Sequence, residues 1–129
     1  MSEPVTHLRI DERLSGSPVL VEEGQSEVHL ATTMQMAVDD RGLVHGGFVF
    51  GLADYAAMLA VNDPNVVLGS ADVRFTAPVR AGDMLTAHAQ IVGTEGSRRK
   101  VVVEVCCGDT ILLKGEFSCF VLDSHVLEV

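Results

Sequence analysis

The stretch 43–63, LVHGGFVFGLADYAAMLAVND, decides how the rest of the chain must fold. Phe48, Leu52, Tyr55, Leu59 and Asn62 recur at helical spacing, while Gly46, Gly47, Gly51, Ala53, Ala56, Ala57 and Ala60 keep the other faces thin. Asp54 is the single charged residue inside this helix, so the segment is expected to be buried nearly all round. Each glycine costs about 1 kcal/mol of helix propensity and is tolerated where backbone or a bound molecule must come close. A lone carboxylate in such surroundings is expensive unless it is paired, protonated or used. Two readings follow: a central helix with one capped or interfacial Asp, or an active-site helix.

Outward from the helix the pattern changes to strands. Asp63-Pro64 stops the helix, because the residue before proline is pushed out of the helical region. Strands are predicted over 66–76, bounded by Pro78, and over 84–92 after the turn Gly82-Asp83. Two more, 99–107 and 110–122, join through Gly108-Asp109, a hairpin loop if both residues take positive φ. On the upstream side, Asp39-Asp40-Arg41-Gly42 reads as a loop. Before it Val28, Leu30, Thr32, Met34, Met36 and Val38 alternate with mostly polar neighbours as a half-buried strand. A first strand covers 18–22, with the turn Gly24-Gln25 after it. In the lead 1–16, Val5, Leu8 and Leu14 sketch a short amphipathic turn ending at Gly16, with the first residues frayed. Strand, strand, helix, then four strands predicts an α+β fold: a curved, mostly antiparallel sheet around one long helix.

At 129 residues the chain makes one domain, with room for a core but little for a site enclosed by one subunit. A net charge of −9 argues against nucleic acid and against an anionic membrane surface as partners. No run reaches transmembrane length, and MSEPVTHLRIDERL lacks the apolar segment of a signal peptide. Cys106 and Cys107 are adjacent and Cys119 stands alone, which is not metal-ligand spacing and suits a reducing, cytoplasmic setting. His7, His29, His88 and His125 are scattered and receive no role.

HGG, then LAD with Asp54 nine residues after His45, then GSADVRFTAPVRAGDMLTAHAQIV together resemble the hotdog-fold acyl-CoA thioesterases. The resemblance spans roughly residues 37–122 and is to the group that includes phenylacetyl-CoA thioesterases. It implies a hotdog fold and hydrolysis of an acyl-CoA to free acid and coenzyme A. No cofactor is implied beyond the coenzyme A of the substrate. Self-association into dimers or dimers of dimers is implied too, with sites at the seam. In this reading Gly46 and Gly47 offer helix N-terminal N–H groups to the thioester oxygen, and Asp54 is nucleophile or general base. The plainer alternative is that the glycines only allow tight packing. His45 acts by packing and hydrogen bonding at the helix start. Ser70 helps to hold the attacking water or the carboxylate, or else merely meets backbone. The chain departs from the group six residues before His45: relatives commonly carry Asn or Gln there, and Asp39 occupies the place. A carboxylate only accepts hydrogen bonds, and it adds repulsion toward Asp54 that would raise its pKa.

Asp54 lies eight residues beyond Gly46, about 12 Å along the axis at ~1.5 Å per residue. One helix therefore cannot bring both groups to one thioester carbon, whereas two antiparallel helices across a two-fold axis can. Phe48, Phe50, Tyr55 and Met58 suggest an apolar acyl pocket. Arg98-Arg99-Lys100 is the only basic run and a candidate for the coenzyme A phosphates, with Arg74 and Arg80 as alternates. A non-catalytic acyl-CoA-binding or sensor protein is the competing reading, since SADVRFTAPVRAGD also resembles the effector domain of hotdog regulators of lipid synthesis. A hydratase ranks last, because of its D-x-N-P-x-H signature only Asp40 and His45 remain.

Overall fold

Described over residues 2–128, the computed structural model runs α1 (Glu12–Ser15), β1 (Ser17–Glu22), β2 (Gln25–Ala31), a 3-10 turn at Met34–Met36, α2 (Gly46–Val61), β3 (Val66–Phe75), β4 (Met84–Glu95), β5 (Arg98–Cys107) and β6 (Thr110–Val121). The strands form one six-stranded sheet in the order β1-β2-β4-β5-β6-β3, with every pair antiparallel. On its inner face lies α2, making the curved sheet and central helix of the hotdog fold. Period-two burial produces this arrangement: Leu85, Ala87 and Ala89 on β4 and Val101, Val103 and Val105 on β5 turn inward, and their neighbours turn out.

The helix is buried because it is thin. Ala53, Ala56, Ala57 and Ala60 are closed off from solvent and let the sheet approach, while Leu52 and Leu59 fill the space between. Each fully buried Leu contributes about 1.5–3 kcal/mol. The Ser26 hydroxyl donates to the Ala56 carbonyl at 2.6 Å, so the polar atom between helix and sheet is satisfied. Along β6 the helix keeps a fixed direction. Phe75, on the neighbouring strand, covers Gly46, Phe50 stacks on Phe117 at 5.5 Å, and Asp54 lies beside Cys119.

Three expectations are corrected. The second strand ends at Ala31, not Val38, because Thr32 is drawn into the 80–83 turn. Its hydroxyl and N–H both reach the Asp83 carbonyl (2.7 and 3.0 Å), and the Gly82 N–H donates back to the Thr32 carbonyl at 3.1 Å. The chain then closes a 3-10 turn, Met36 N–H to Thr33 carbonyl, so Met36 is buried while Met34 and Val38 stay exposed. The 108–109 loop joins β5 and β6 as the expected hairpin, but only Gly108 has positive φ (58°). The lead is tied down where fraying was expected. Asn62, the left-handed C-cap of α2, accepts from Val5 N–H (2.8 Å) and donates to the Glu3 carbonyl (3.0 Å).

At one end of the sheet, β3 is paired only to β6, and Gly69 to Asp72 on it are exposed. The pairing is unusually close at Gly115, where an added Cβ would collide with the Asp72 carbonyl and the Val73 Cα. Gly115→Ala must therefore push β3 off β6, at a cost of about 2–3 kcal/mol. A denaturant midpoint unchanged by this substitution would contradict the close pairing.

Candidate functional site

Everything that could act on a bound molecule gathers along one strip of α2. At its start, the His45 N–H donates to the Met36 carbonyl (3.0 Å) and the Val44 N–H to the Val79 carbonyl (2.9 Å), which fixes the helix entry between two loops. No side chain caps the helix. Phe48 N–H turns back to the His45 carbonyl (3.1 Å), leaving the N–H groups of Gly46 and Gly47 without an acceptor among the described residues. The positive end of the helix dipole adds to these two donors. His45 is exposed, and its ring stands in the space that a Gly47 side chain would take, edge-on to Phe48 at 6.1 Å.

Two turns on, Asp54 is in the opposite condition. Its Oδ1 is shielded from solvent and has no hydrogen-bond partner. Burial pushes its pKa up to about 6. The neighbouring Cys119 thiol is itself pushed up to about 12, by burial and then by the Asp54 charge, so it stays protonated. Within the subunit, Asp39 is not among the causes of the Asp54 shift. Asp39 sits in the exposed 39–42 loop, where its Oδ1 accepts the N–H groups of Arg41 (3.0 Å) and Leu43 (3.2 Å). It holds the loop that delivers the helix.

Other sequence candidates separate. Ser70 follows a bulge at Gly69 and is paired with Ser118, between the inward-facing Phe117 and Cys119. Its side chain therefore points to the outer face of the sheet, away from the Asp54 of its own subunit. Met58 (1% exposed) and Tyr55 (4%) are packed into the core, and Tyr55 faces the His7 ring at 6.3 Å. Phe48 and Phe50 are half-buried beside the open strip.

The Arg98–Lys100 run opens β5, and all three residues have partners in the chain. Arg98 donates to the Ser118 hydroxyl (3.0 Å), Arg99 to the Gly96 carbonyl (2.7 Å), and Lys100 faces Glu116 at 3.4 Å. Arg99 is paired across the strands with Cys119, which puts this hairpin at the Asp54 end of the strip. At the Gly46 end is a cleft of about 520 Å³ lined by Asp39, Arg41, Leu43, Val79, Arg80 and Asp83. The guanidinium groups of Arg41 and Arg80 make no ion pair among the described residues. Sequence reasoning missed Arg41 and Cys119: one stands in an ordinary turn, and nothing in linear spacing ties the other to Asp54. A larger hollow of about 690 Å³ lies on the outer sheet face, among Asp72, His88, Glu104 and Glu116, away from the helix. No group of three or more His, Cys, Asp or Glu is placed to hold a metal among the described residues, and no helix is long and apolar enough to cross a membrane.

Several known proteins are similar to this chain. A methylthioribose-1-phosphate isomerase from Aquifex aeolicus is 50% identical over 119 residues, 92% of this chain but 26% of that protein. Transcription factor FapR from Bacillus subtilis is 27% identical over 93% of this chain and 65% of its own length. The chain thus spans about a quarter of the first and under two thirds of the second. Among solved structures, an uncharacterised protein from Pyrococcus horikoshii superposes with a TM-score of 0.97 at 53% identity, with 98% of both chains covered. The PaaI protein of the Escherichia coli phenylacetic acid degradation operon superposes with a TM-score of 0.75 at 26% identity, over 83% of each chain. Residues 41–114, more than half of the chain and including both ends of the strip, match the model of the thioesterase superfamily, and the chain is a member of that family.

Proposed function

We propose that the protein is an acyl-CoA thioesterase that works as a two-fold dimer, with Gly46 and Gly47 of one subunit and Asp54 of the other forming each site. The orphaned Asp54 Oδ1 carries this reading. A buried carboxylate oxygen without a partner is rare unless chemistry or an absent neighbour uses it. The free N–H pair lies about 12 Å away along the same helix, out of reach within one subunit. Antiparallel pairing of β3 edges would cover the open edge and set the two helices side by side. The thioester carbonyl then rests on the Gly46 and Gly47 N–H groups, which stabilise its oxygen as charge develops. Asp54 acts as general base toward water or as nucleophile. Arg41 and Arg80, from the Gly46 side, and Arg98–Lys100, from the Asp54 side, meet the phosphates of coenzyme A. The free cations of the cleft give up no existing ion pair in doing so.

A second reading, a non-catalytic acyl-CoA sensor, is favoured by the similarity to FapR over 93% of the chain. Hydrolysis of a thioester panel with short, medium, long and arylacetyl chains, run beside binding calorimetry, separates the two. Binding without turnover throughout the panel would replace the thioesterase with the sensor.

Asp54→Asn is expected to abolish turnover while leaving acyl-CoA affinity within a few-fold. In the parent, kcat/KM should rise with pH to a plateau, with an apparent pKa near 6. Stability should move the other way. Between about pH 4 and 6 the folded chain keeps a proton that the unfolded chain releases, so stability falls as pH rises through that window. At pH 8 the ionised carboxylate costs up to about 3 kcal/mol, and Asp54→Asn should recover about 1–3 kcal/mol there and almost none at pH 4. Loss of activity with a gain in melting temperature marks a catalytic carboxylate; parallel losses of both would mark a structural one.

For the phosphates, Arg41→Ala with Arg80→Ala should raise KM about tenfold and reduce its salt dependence, with kcat little changed. The triple change of Arg98, Arg99 and Lys100 to Ala should raise KM less. The reverse order would move the main phosphate contact to the hairpin. Sedimentation at micromolar concentration should give a dimer or a dimer of dimers, and a folded, active monomer would end the shared-site reading.

A further inference from the structure

If Gly46 and Gly47 of one helix face Asp54 of its two-fold mate, the axis must cross α2 midway between them, at Phe50 and Gly51. These two residues behave differently. Phe50 turns into its own subunit and stacks on Phe117 at 5.5 Å. Gly51 leaves a gap: a Cβ added there would meet nothing within 4 Å. On a helix Gly47, Gly51 and Asp54 fall within a sector of roughly 60°. Gly47 is exposed and Gly51 and Asp54 are only partly covered, whereas Leu52, Ala53 and the run from Tyr55 to Ala60 are buried. The same sector carries the shielded, partnerless Asp54 Oδ1, an independent sign that something absent from the lone subunit belongs against it. Glycine is a poor helix former, and nothing in the subunit requires it at this position.

We infer that Gly51 is a positioning residue: it lets the two α2 helices touch backbone to backbone at the axis and thereby sets the span from the Gly46 and Gly47 N–H groups to the partner subunit's carboxylate. This rests on the dimeric thioesterase reading. The distance between packed helices, usually about 8–10 Å, depends on the side chains at the crossing. A substitution on the axis enters the contact twice, once from each subunit. Separating the helices by even about 1 Å moves the base away from a carbonyl held by the other chain, and misplacement on that scale costs up to about a hundredfold in rate.

The signs of the effects make the test sharp. Gly51→Ala should raise the melting temperature by about 3–5 °C, because Ala favours the helix and meets no clash within the subunit. The same variant should remain dimeric by sedimentation yet lose at least tenfold in kcat, equally for acetyl-, hexanoyl- and phenylacetyl-CoA. Gly51→Leu should weaken the dimer outright. A loss that grows with acyl size would make Gly51 part of the acyl pocket and overturn the inference. Parent-like kcat in Gly51→Ala, or a Gly51→Leu dimer as tight as the parent, would overturn it too. If the parent turns over no acyl-CoA at all, the thioesterase reading fails by itself, and the Gly51→Leu dissociation constant still decides whether the helices cross here.

Discussion

Close packing of α2 against the sheet is the constraint on which the rest of the molecule depends. Alanines at 53, 56, 57 and 60 bring helix and strands together, and the Ser26 hydroxyl answers the Ala56 carbonyl in the layer between. The lead is held by the same contact: a side chain at Gly16 would strike Leu52 and Val28 at 2.9 and 2.8 Å. With those sides closed, a bound molecule can approach the helix only along the strip through Gly47, Gly51 and Asp54. The close packing that stabilises the fold therefore also leaves one line of the helix less covered, with hydrogen-bond donors at one end and a carboxylate at the other.

Two aspartates show why the carboxylate end is special. Asp39 and Asp54 are the same residue type, fifteen positions apart. Asp39 is exposed and its Oδ1 accepts two backbone N–H groups. Asp54 receives none on Oδ1, in a helix interior whose own N–H groups are already spent on the helix. A pKa of about 6 puts its titration close to physiological pH, as suits a general base. Burial without a partner destabilises the fold, which is the usual mark of a group kept for chemistry or for assembly.

Much of this was readable in the sequence, and what was not has particular causes. The helix bounds followed from Gly46 and from Asp63-Pro64, since glycine richness and a proline stop are local signals. The strands followed from period two. The overlong second strand failed because alternation continued through Met34, Met36 and Val38, while a tertiary bond from Thr32 to Asp83 ended the extended backbone. For Ser70 the bulge at Gly69 decides which face of the sheet the side chain takes, and a bulge leaves no trace in spacing. Cys119 became visible only once β6 was laid along α2. Motif reading thus located the strip, and the register of β3 and β6 decided which residues stand on it.

Electrostatics closes the argument for the composite site. A chain with net charge −9 repels a substrate that itself carries several phosphate charges. At physiological ionic strength this long-range repulsion is screened beyond about 8 Å, so recognition falls to groups in contact. Four such groups flank the strip: the helix N-terminus, the unpaired Arg41 and Arg80 beside it, and the hairpin cations near Asp54. The hairpin cations already hold partners and must exchange them, while those of the cleft need not. Phosphate at the cleft end would place the negative charges of coenzyme A beside the positive end of the helix, which stabilises them. For the proposed acyl-CoA substrate, charge thus favours the nucleotide over the cleft, where Arg41 and Arg80 have no ion pair to exchange among the described residues.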